Sequence, residues 1–514
     1  MNRLPSLWQS TASIPPCPRL QGDLEVDVAV IGGGISGLTA ALLLQRAGKK
    51  VALIEAHRIG AGETGHTTAH LTELLDARYH VLESKFGKEG ALLAADSARA
   101  SIARIEAFVM ESEESCGFRR VPGYLYAETR KQKEDLDREF PSLERVGARV
   151  SHSTSSPLPF PILSALRIEN QARVHPLEYL RVLSQRARAA GALLFESTRM
   201  LDVEEGEPCR VITESGTLRA RDVLVLTNVP VSNRFVIHTK IAAYRTYALA
   251  ARLPQSELRD LDALFEDMDD PYHYIRLQDT SEGTFLIVGG EDHKTGKEEQ
   301  SEDRVRRLEE YTRRRFPDAQ IQYRWSGQVI EPSDGLPYIG RNPHSEHVYI
   351  GTGYSGTGMT FGTLAAMIVS DAVLGLPNRW AELYRATRIK PLAQAQRYVS
   401  ENVDFPMTLA HDRVAHSDVE RVEALLPGQG ARIRQGRKML AVYRDDKGVV
   451  HARSAVCPHM GCYVRWNSAE RSWDCPCHGS RFGVDGEVLN GPAVQALKEE
   501  DLEVHAEESL PTTA

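Results

Sequence analysis

The period of apolar positions changes several times along this chain, and each change predicts an element. Residues 26–55, VDVAVIGGGISGLTAALLLQRAGKKVALIE, pass from an apolar run through a glycine turn into a helix-period stretch. They stop at Gly48 and resume as a second apolar run, which predicts one strand–helix–strand unit. The pattern is helical between Ala91 and Glu114, and HPLEYLRVLSQRARAAGA (175–192) predicts a second amphipathic helix with proline near its start. Residues 197–227 predict strands around a turn at SGT. From about Phe235 to Arg324, alternating segments such as TFLIVGG predict an antiparallel sheet that interrupts the first fold. GTGYSGTGMTFGTLAAMIVSDAVLG (351–375) returns to a glycine turn followed by a helix. The chain then turns polar, which places a boundary near residue 400, a linker over 401–412 and a small β module over 413–514. Asp446-Lys447-Gly448 marks a hairpin tip in that module.

Composition narrows the function classes. At 514 residues, 42% hydrophobic and 26% charged, the chain is long enough for two or three ordinary globular domains. A net charge of -8 without a basic stripe gives no footprint for nucleic acid or an anionic membrane. No apolar run has the length of a transmembrane helix, and the first residues lack the apolar core of a secretory signal, so the expected location is the cytoplasm. Cys17, Cys116 and Cys209 are isolated, whereas the other four of seven cysteines lie together within 457–477 and need a specific explanation.

Gly32, Gly34 and Gly37 spell G-x-G-x-x-G between a strand and a helix, and Glu55 follows 18 residues after Gly37 at the end of the next strand. Glycine permits the tight turn, the backbone can approach a pyrophosphate, and the helix amino terminus favours its charge. Glu55 would accept from ribose hydroxyls and repel a 2′-phosphate. Two further segments, GAGETGHTTAHLTE (60–73) and SGQVIEPSDGLPYIG with GTGYSGTGMT near residue 350, accompany this turn. Together the three resemble the split flavin site of the D-amino-acid-oxidase-like, glycine-oxidase- and sarcosine-oxidase-like FAD family over roughly residues 25–375. The resemblance implies an α/β FAD-binding Rossmann-type domain within residues 1–400. It would be interrupted, mainly within 75–175 and 235–325, by an α+β substrate subdomain with an antiparallel sheet. It implies FAD held by Gly32, Gly34, Ile35, Ser36, Gly37, Glu55, Ala56, Val203, Thr227 and Asn228. Thr64, Gly65, His66, Thr67 and Thr68 would lie beside it, and Gly353, Tyr354, Ser355, Gly356, Thr357, Gly358, Met359 and Thr360 at the flavin ring. His66 sits in a context where some relatives attach flavin covalently; non-covalent contact is the expectation here, with covalent attachment as the alternative. Only one good G-x-G-x-x-G is present, which argues against a separate NAD(P)H site.

The clustered cysteines occur as Cys457-x-His459 and, after fifteen intervening residues, Cys475-x-x-His478. Two thiolates and two imidazoles could hold one zinc ion, but C-x-H is not usual zinc-finger spacing. They also suit a [2Fe–2S] centre with cysteines on one iron and histidines on the other. The boxes C-x-H-x-G-C and C-P-C-H-G-S resemble Rieske ferredoxins over about 415–505, which implies an all-β Rieske domain with Cys457, His459, Cys475 and His478 as ligands. The resemblance also implies a Cys462–Cys477 disulfide joining the cluster loops, with a free dithiol as the alternative. Ser480 matches a serine that donates to a bridging sulfide, and GPA at 491–493 a covering proline loop. High-potential members carry tyrosine where this chain has Phe482, so a lower potential is expected.

These resemblances imply an FAD-dependent dehydrogenase that oxidises a C–N bond of an amine or amino acid. Electrons would pass from flavin to the chain's own cluster and on to an external acceptor such as a protein or quinone. The alternatives are an oxygen-using oxidase and a module in which the cluster feeds flavin for a reduction. Oxidases of the family often carry an oxygen-activating lysine below the flavin, and the matching strand, Phe285–Val288, has none; Lys294 is the nearest substitute in sequence. For the substrate pocket the candidates are Arg245 and Arg276 as carboxylate holders, Tyr274 and Tyr354 as lining groups, and His293 as a base. For each, a packing or solvent-facing strand position is the plainer explanation.

Overall fold

The computed structural model describes residues 5–231, 237–258, 260–298, 300–389, 416–419 and 421–502. The expected linker at 401–412 lies outside them. The chain forms two compact units, a larger one within residues 3–295 and 302–403 and a smaller one within 296–301 and 404–514. Among the described residues no helix is long and apolar enough to cross a membrane.

The larger unit is built on two sheets. The centre of the first is parallel, in the order Val348–Thr352, Gly216–Val225, Leu24–Ile31, Val51–Ile54 and Leu193–Phe195. Val28, Ala29, Val30 and all of Val51–Leu53 are fully buried, as befits strands covered on both faces. The helix Ile35–Arg46 makes the crossover between Leu24–Ile31 and Val51–Ile54, so the predicted strand–helix–strand unit is present.

The second sheet is mixed, and antiparallel where it concerns the site. It runs Gln320–Pro332, Ile241–Arg252, Gly283–Lys294, Tyr274–Thr280, Leu264–Glu266, Arg119–Ala127, Ser164–Arg173 and His70–Leu71. One face turns toward the carboxyl ends of the parallel strands: Trp325 Nε1 donates to the carbonyl of His66 at 2.8 Å, and Arg276 Nε donates to that of Thr68. The helix Ser301–Arg315 covers the other face, where Tyr311 stacks on His273 with ring centroids 3.8 Å apart.

The helix expected over 91–114 is longer, Tyr79–Met110, with Gly87 at φ 75° breaking its geometry near the start. That break hides the apolar period of its first turns. The helix predicted at 175–192 is Pro176–Ala189, with the His175 ring accepting from the Glu178 amide.

The smaller unit is all-β. Gly430–Gln435, Lys438–Arg444 and Val450–Ser454 form one antiparallel sheet, with the expected turn between the last two closed by Asp445, whose carboxylate accepts from the amides of Lys447 and Val449. Arg465–Asn467, Ser472–Asp474, Arg481–Phe482 and Val488–Asn490 form the other. Its core gathers Val464, Trp473 and Phe482, all fully buried, around the four clustered cysteines.

Candidate functional site

The glycine turn is tight enough to exclude any side chain. A Cβ on Gly37 would lie 1.9 Å from the carbonyl oxygen of Gly32, and one on Gly32 2.5 Å from that of Leu226. Glu55 reaches into the turn: its carboxylate accepts from the amides of Gly33 at 2.7 Å and His57 at 2.9 Å. Burial still pushes its pKa up against those two donors. Ala56 follows in the same bend. The helix Ile35–Arg46 has no acidic residue in its first turn and no side-chain cap at Gly34, which leaves its amino end suited to an anion. Thr64 Oγ1 accepts from the Ile35 amide at 3.2 Å.

Thr227 and Asn228 lie beside the glycine turn, and Asn228 stands at φ 65° with its carbonyl accepting from Thr352 Oγ1 at 2.6 Å. Val203, on the strand Met200–Glu204, packs partly buried against the apolar layer containing Ile31 and Val225. His66 is 6% exposed, with Nδ1 2.8 Å from the carbonyl of Gly62; Gly65 is buried, and the Thr67 carbonyl accepts from Trp8 Nε1.

The loop from Gly353 to Thr357 leads into the helix Gly358–Leu374. Gly353 and Ser355 adopt left-handed conformations at φ 76° and 49°. Tyr354 Oη lies 3.3 Å from Ser36 Oγ, and a Cβ on Gly362 would be 2.8 Å from Ile35, so the two helix starts are packed against each other. Met359 and Thr360 are buried, and Thr360 Oγ1 donates to the Thr72 carbonyl. Two uncapped helix amino ends, a glycine turn without side-chain space and an acid at the second strand fit a flavin dinucleotide. FAD would lie with its pyrophosphate at Gly32–Gly37 and its ring near Gly353–Thr360.

Beside that loop is a recess that includes Tyr274, named from the sequence, and Asp76, which was not. Asp76 Oδ2 accepts from the Gly356 amide at 2.5 Å, and a Cβ on Gly356 would be 2.7 Å from Tyr272 Oη. Tyr274 Oη is 2.8 Å from Thr246 Oγ1, and Thr246 also hydrogen-bonds Asp292. The rings of Tyr272 and Tyr274 stand 5.5 Å apart, with His70 edge-on to Tyr274 at 5.6 Å. Burial pushes both Asp76 and Asp292 up to about 7, and the charge of Glu331 adds to both.

Of the proposed substrate residues, Tyr274 alone joins this recess. Successive strand residues point to opposite faces. Arg245 pairs with His293 across the strands, on the face turned away from Thr246, Asp292 and Trp325. There Arg245, fully buried, donates to Ser326 Oγ, and His293 Nε2 is 3.1 Å from Tyr247 Oη. Arg276 shares the face of Tyr274 but is also fully buried. It donates to the carbonyls of Thr68 and Val174 and to Gln278 Oε1, and lies 5.3 Å from the Trp8 ring. These contacts tie Arg276 to the loop that carries Thr64–Thr68. Tyr354 packs between the helix starts. Phe285–Val288 is fully buried and apolar.

In the smaller unit two loops of matching construction face each other. In one, the Cys457 amide donates to the Cys462 carbonyl at 2.8 Å and the Gly461 amide to the Cys457 carbonyl at 2.9 Å. In the other, the Cys475 amide donates to the Ser480 carbonyl at 2.8 Å and the Gly479 amide to the Cys475 carbonyl at 3.1 Å. Gly461 and Gly479 take the left-handed turn each loop needs, at φ 81° and 77°. A disulfide between Cys462 and Cys477 joins the loops, Cα to Cα 6.6 Å. The rings of His459 and His478 meet edge-on 5.0 Å apart, and burial lowers both to about 4, keeping them in the neutral, metal-ligating form. A hydrogen bond with Cys475 lowers the Cys457 thiol, and Ser480 contributes to the same shift. Two buried thiols held together opposite two neutral imidazoles, with Cys462 and Cys477 locked to each other, fit a [2Fe–2S] cluster. Phe482 is fully buried beside them, and the Ala493 amide donates to Ser480 Oγ at 3.0 Å.

Comparison with known proteins agrees with this geometry. The FAD dependent oxidoreductase family (DAO) matches residues 27–372, and the Rieske [2Fe-2S] domain matches 416–501. A protein of Bacillus subtilis (strain 168) named as a Rieske 2Fe-2S iron-sulfur protein, YhfW, is 30% identical over 499 residues, 96% of this chain and 97% of its own length. Gamma-glutamylputrescine oxidoreductase of Escherichia coli (strain K12) is 25% identical over 71% of this chain and 87% of its own length. The crystal structure of glycine oxidase from Geobacillus kaustophilus superposes with a TM-score of 0.61 at 20% identity, covering 71% of this chain and all of that one.

Proposed function

This chain belongs to the FAD dependent oxidoreductase family and carries a Rieske [2Fe-2S] domain, and from that premise we propose that it is an amine or amino-acid dehydrogenase with its own electron outlet. The substrate would lose a C–N bond's hydrogens as a hydride and a proton, and the electrons would leave one at a time for an external acceptor. Bound FAD supplies hydride acceptance and single-electron return, and a bound [2Fe–2S] cluster supplies one-electron carriage. The protein's part is to hold the substrate beside the Gly353–Thr360 loop, and to keep His459 and His478 neutral and Cys457 and Cys475 together.

What supports this reading is that Cys457, His459, Cys475 and His478 gather in facing loops on the same chain as the flavin fold, and that the Bacillus relative matches this chain over 97% of its own length. The E. coli relative, an oxidoreductase of gamma-glutamylputrescine, supports an amine donor. Phe285–Val288, the strand matched to the oxidases' lysine position, is buried and apolar, and its lack of a lysine supports a dehydrogenase; Lys294 lies further along, on the face that carries Asp292.

The test is an anaerobic titration of the purified holoprotein with secondary amines, N-methyl amino acids, and D- and L-amino acids. Flavin bleaching is followed by absorbance and the reduced cluster by electron paramagnetic resonance. A substrate that bleaches flavin and raises the cluster signal is the expected result. Bleaching with a silent cluster breaks the proposed path.

A further inference from the structure

Three carboxylates gather around the recess beside the flavin loop. Asp76 comes from the segment before the helix Tyr79–Met110, Asp292 from the strand Gly283–Lys294, and Glu331 from the strand Gln320–Pro332. Strand alternation puts Asp292 and Glu331 on the face that meets the flavin side. Glu266 stands near Asp76 but is paired with Arg78 at 2.5 Å. Lys294 follows Asp292 on the same strand face, and His273, stacked on Tyr311 of the covering helix, bears on Asp292 by its charge. Arg245, the strand cation nearest in sequence to Thr246, also points to that opposite face.

Other features mark the recess as a place for a ligand. Asp76, Tyr272, Tyr274 and Asp292 are all partly exposed, so solvent reaches them; Asp76 and Tyr272 sit against Gly356, and Tyr274 and Asp292 meet at Thr246. Asp292 Oδ1 is itself shielded from solvent and, among the described residues, has no hydrogen-bond partner. A buried carboxylate oxygen without a donor calls for one. Two tyrosine rings at 5.5 Å, with His70 edge-on, add the π faces that attract cations.

We propose that Asp76 and Asp292, flanked by Tyr272 and Tyr274, bind an ammonium group of the substrate, so that this enzyme takes cationic amines in preference to amino acids held by their carboxylate. The proposal rests on the dehydrogenase reading for the identity of the recess as a substrate site. It makes Asp76 and Asp292 specificity-determining residues. Both carboxyls lie near pH 7 in the unliganded protein, so their grip on a cation strengthens as pH rises through that value and fades below it.

A pair of probes with the same shape and opposite charge tests this without knowledge of the substrate. tert-Butylammonium and pivalate both lack a hydrogen on the carbon that would be oxidised, so neither reduces flavin. Each is titrated into the FAD-loaded full-length protein, with perturbation of the flavin absorbance as the readout, at about pH 6 and about pH 8.5. The expected result is saturable perturbation by tert-butylammonium, about tenfold tighter at the higher pH, with no response to pivalate. Asp292→Asn and Asp76→Asn should each weaken it by about tenfold or more, and Asp292→Glu should restore part of the loss. Flavin content and visible circular dichroism identify any variant that has failed to fold, and the wild-type pair of titrations decides the sign of the site regardless. Tighter binding of pivalate, binding of neither probe, or unchanged affinity in a folded Asp292→Asn protein overturns the proposal. Failure of every amine to reduce flavin would instead remove the dehydrogenase reading and leave the charge preference measurable.

Discussion

His273 shows how one side chain can tie stability to pH. Its Nδ1 is 2.9 Å from Asp267 Oδ2 and its Nε2 3.6 Å from Glu291 Oε1, while Arg304 and Arg307 from the covering helix also meet Glu291. Burial opposes a charge on the ring, but the two acids outweigh it and raise its pKa from 6.5 to about 9. A pKa raised in the folded state gives stability that is fully present below the unfolded value and is lost as pH climbs through about 9. At about 1.4 kcal/mol per pH unit the contribution is on the order of 3 kcal/mol. Thermal unfolding of the wild type should therefore fall between neutral pH and about pH 10, and His273→Gln should be less stable at pH 6 and lack that fall. An identical slope in the variant would assign the effect elsewhere. The residues legible in the sequence are those whose chemistry is set by local spacing: Cys457, His459, Cys475, His478 and the glycines of the first turn. Asp76 and Asp292 belong to no motif, because 216 residues of chain separate them and only the fold brings them to one place.

At the scale of elements the same contrast appears. Alternation along Ile241–Arg252 and Gly283–Lys294 was readable, but not which face would meet the flavin. Gly290, at φ 147°, sits at a register shift between Arg245 and Tyr247 that resets the pairing of the two strands. Alternation alone therefore does not decide between Arg245 with His293 and Thr246 with Asp292 as the pair that faces the recess. The Rossmann-type unit was legible throughout because its strand, turn, helix and acid are contiguous. Its weakest tolerance is at Gly37, where an added methyl meets backbone, not a movable side chain. Gly37→Ala should push the helix start away from the turn and yield protein that loses its FAD on desalting, read from the ratio of flavin to protein absorbance. Full flavin retention would show that the turn can relax.

For the whole molecule, two cofactors of different electron capacity sit on one chain. Full anaerobic reduction of the holoprotein by dithionite should consume about three electrons per chain, two at FAD and one at the cluster. An end point at two would mean that the cluster is outside the redox sequence. The pairing of Cys462 with Cys477 also closes a covalent ring with a sequence separation of 15 residues. Cys475 lies inside that ring, His459 just before it and His478 just after it. When iron and sulfide leave, the ring holds the ligand loops at high effective concentration, so restoring the centre is an inorganic assembly reaction rather than a new search by the polypeptide. Repair of oxidative damage then depends on a supply of metal and sulfide and not on refolding.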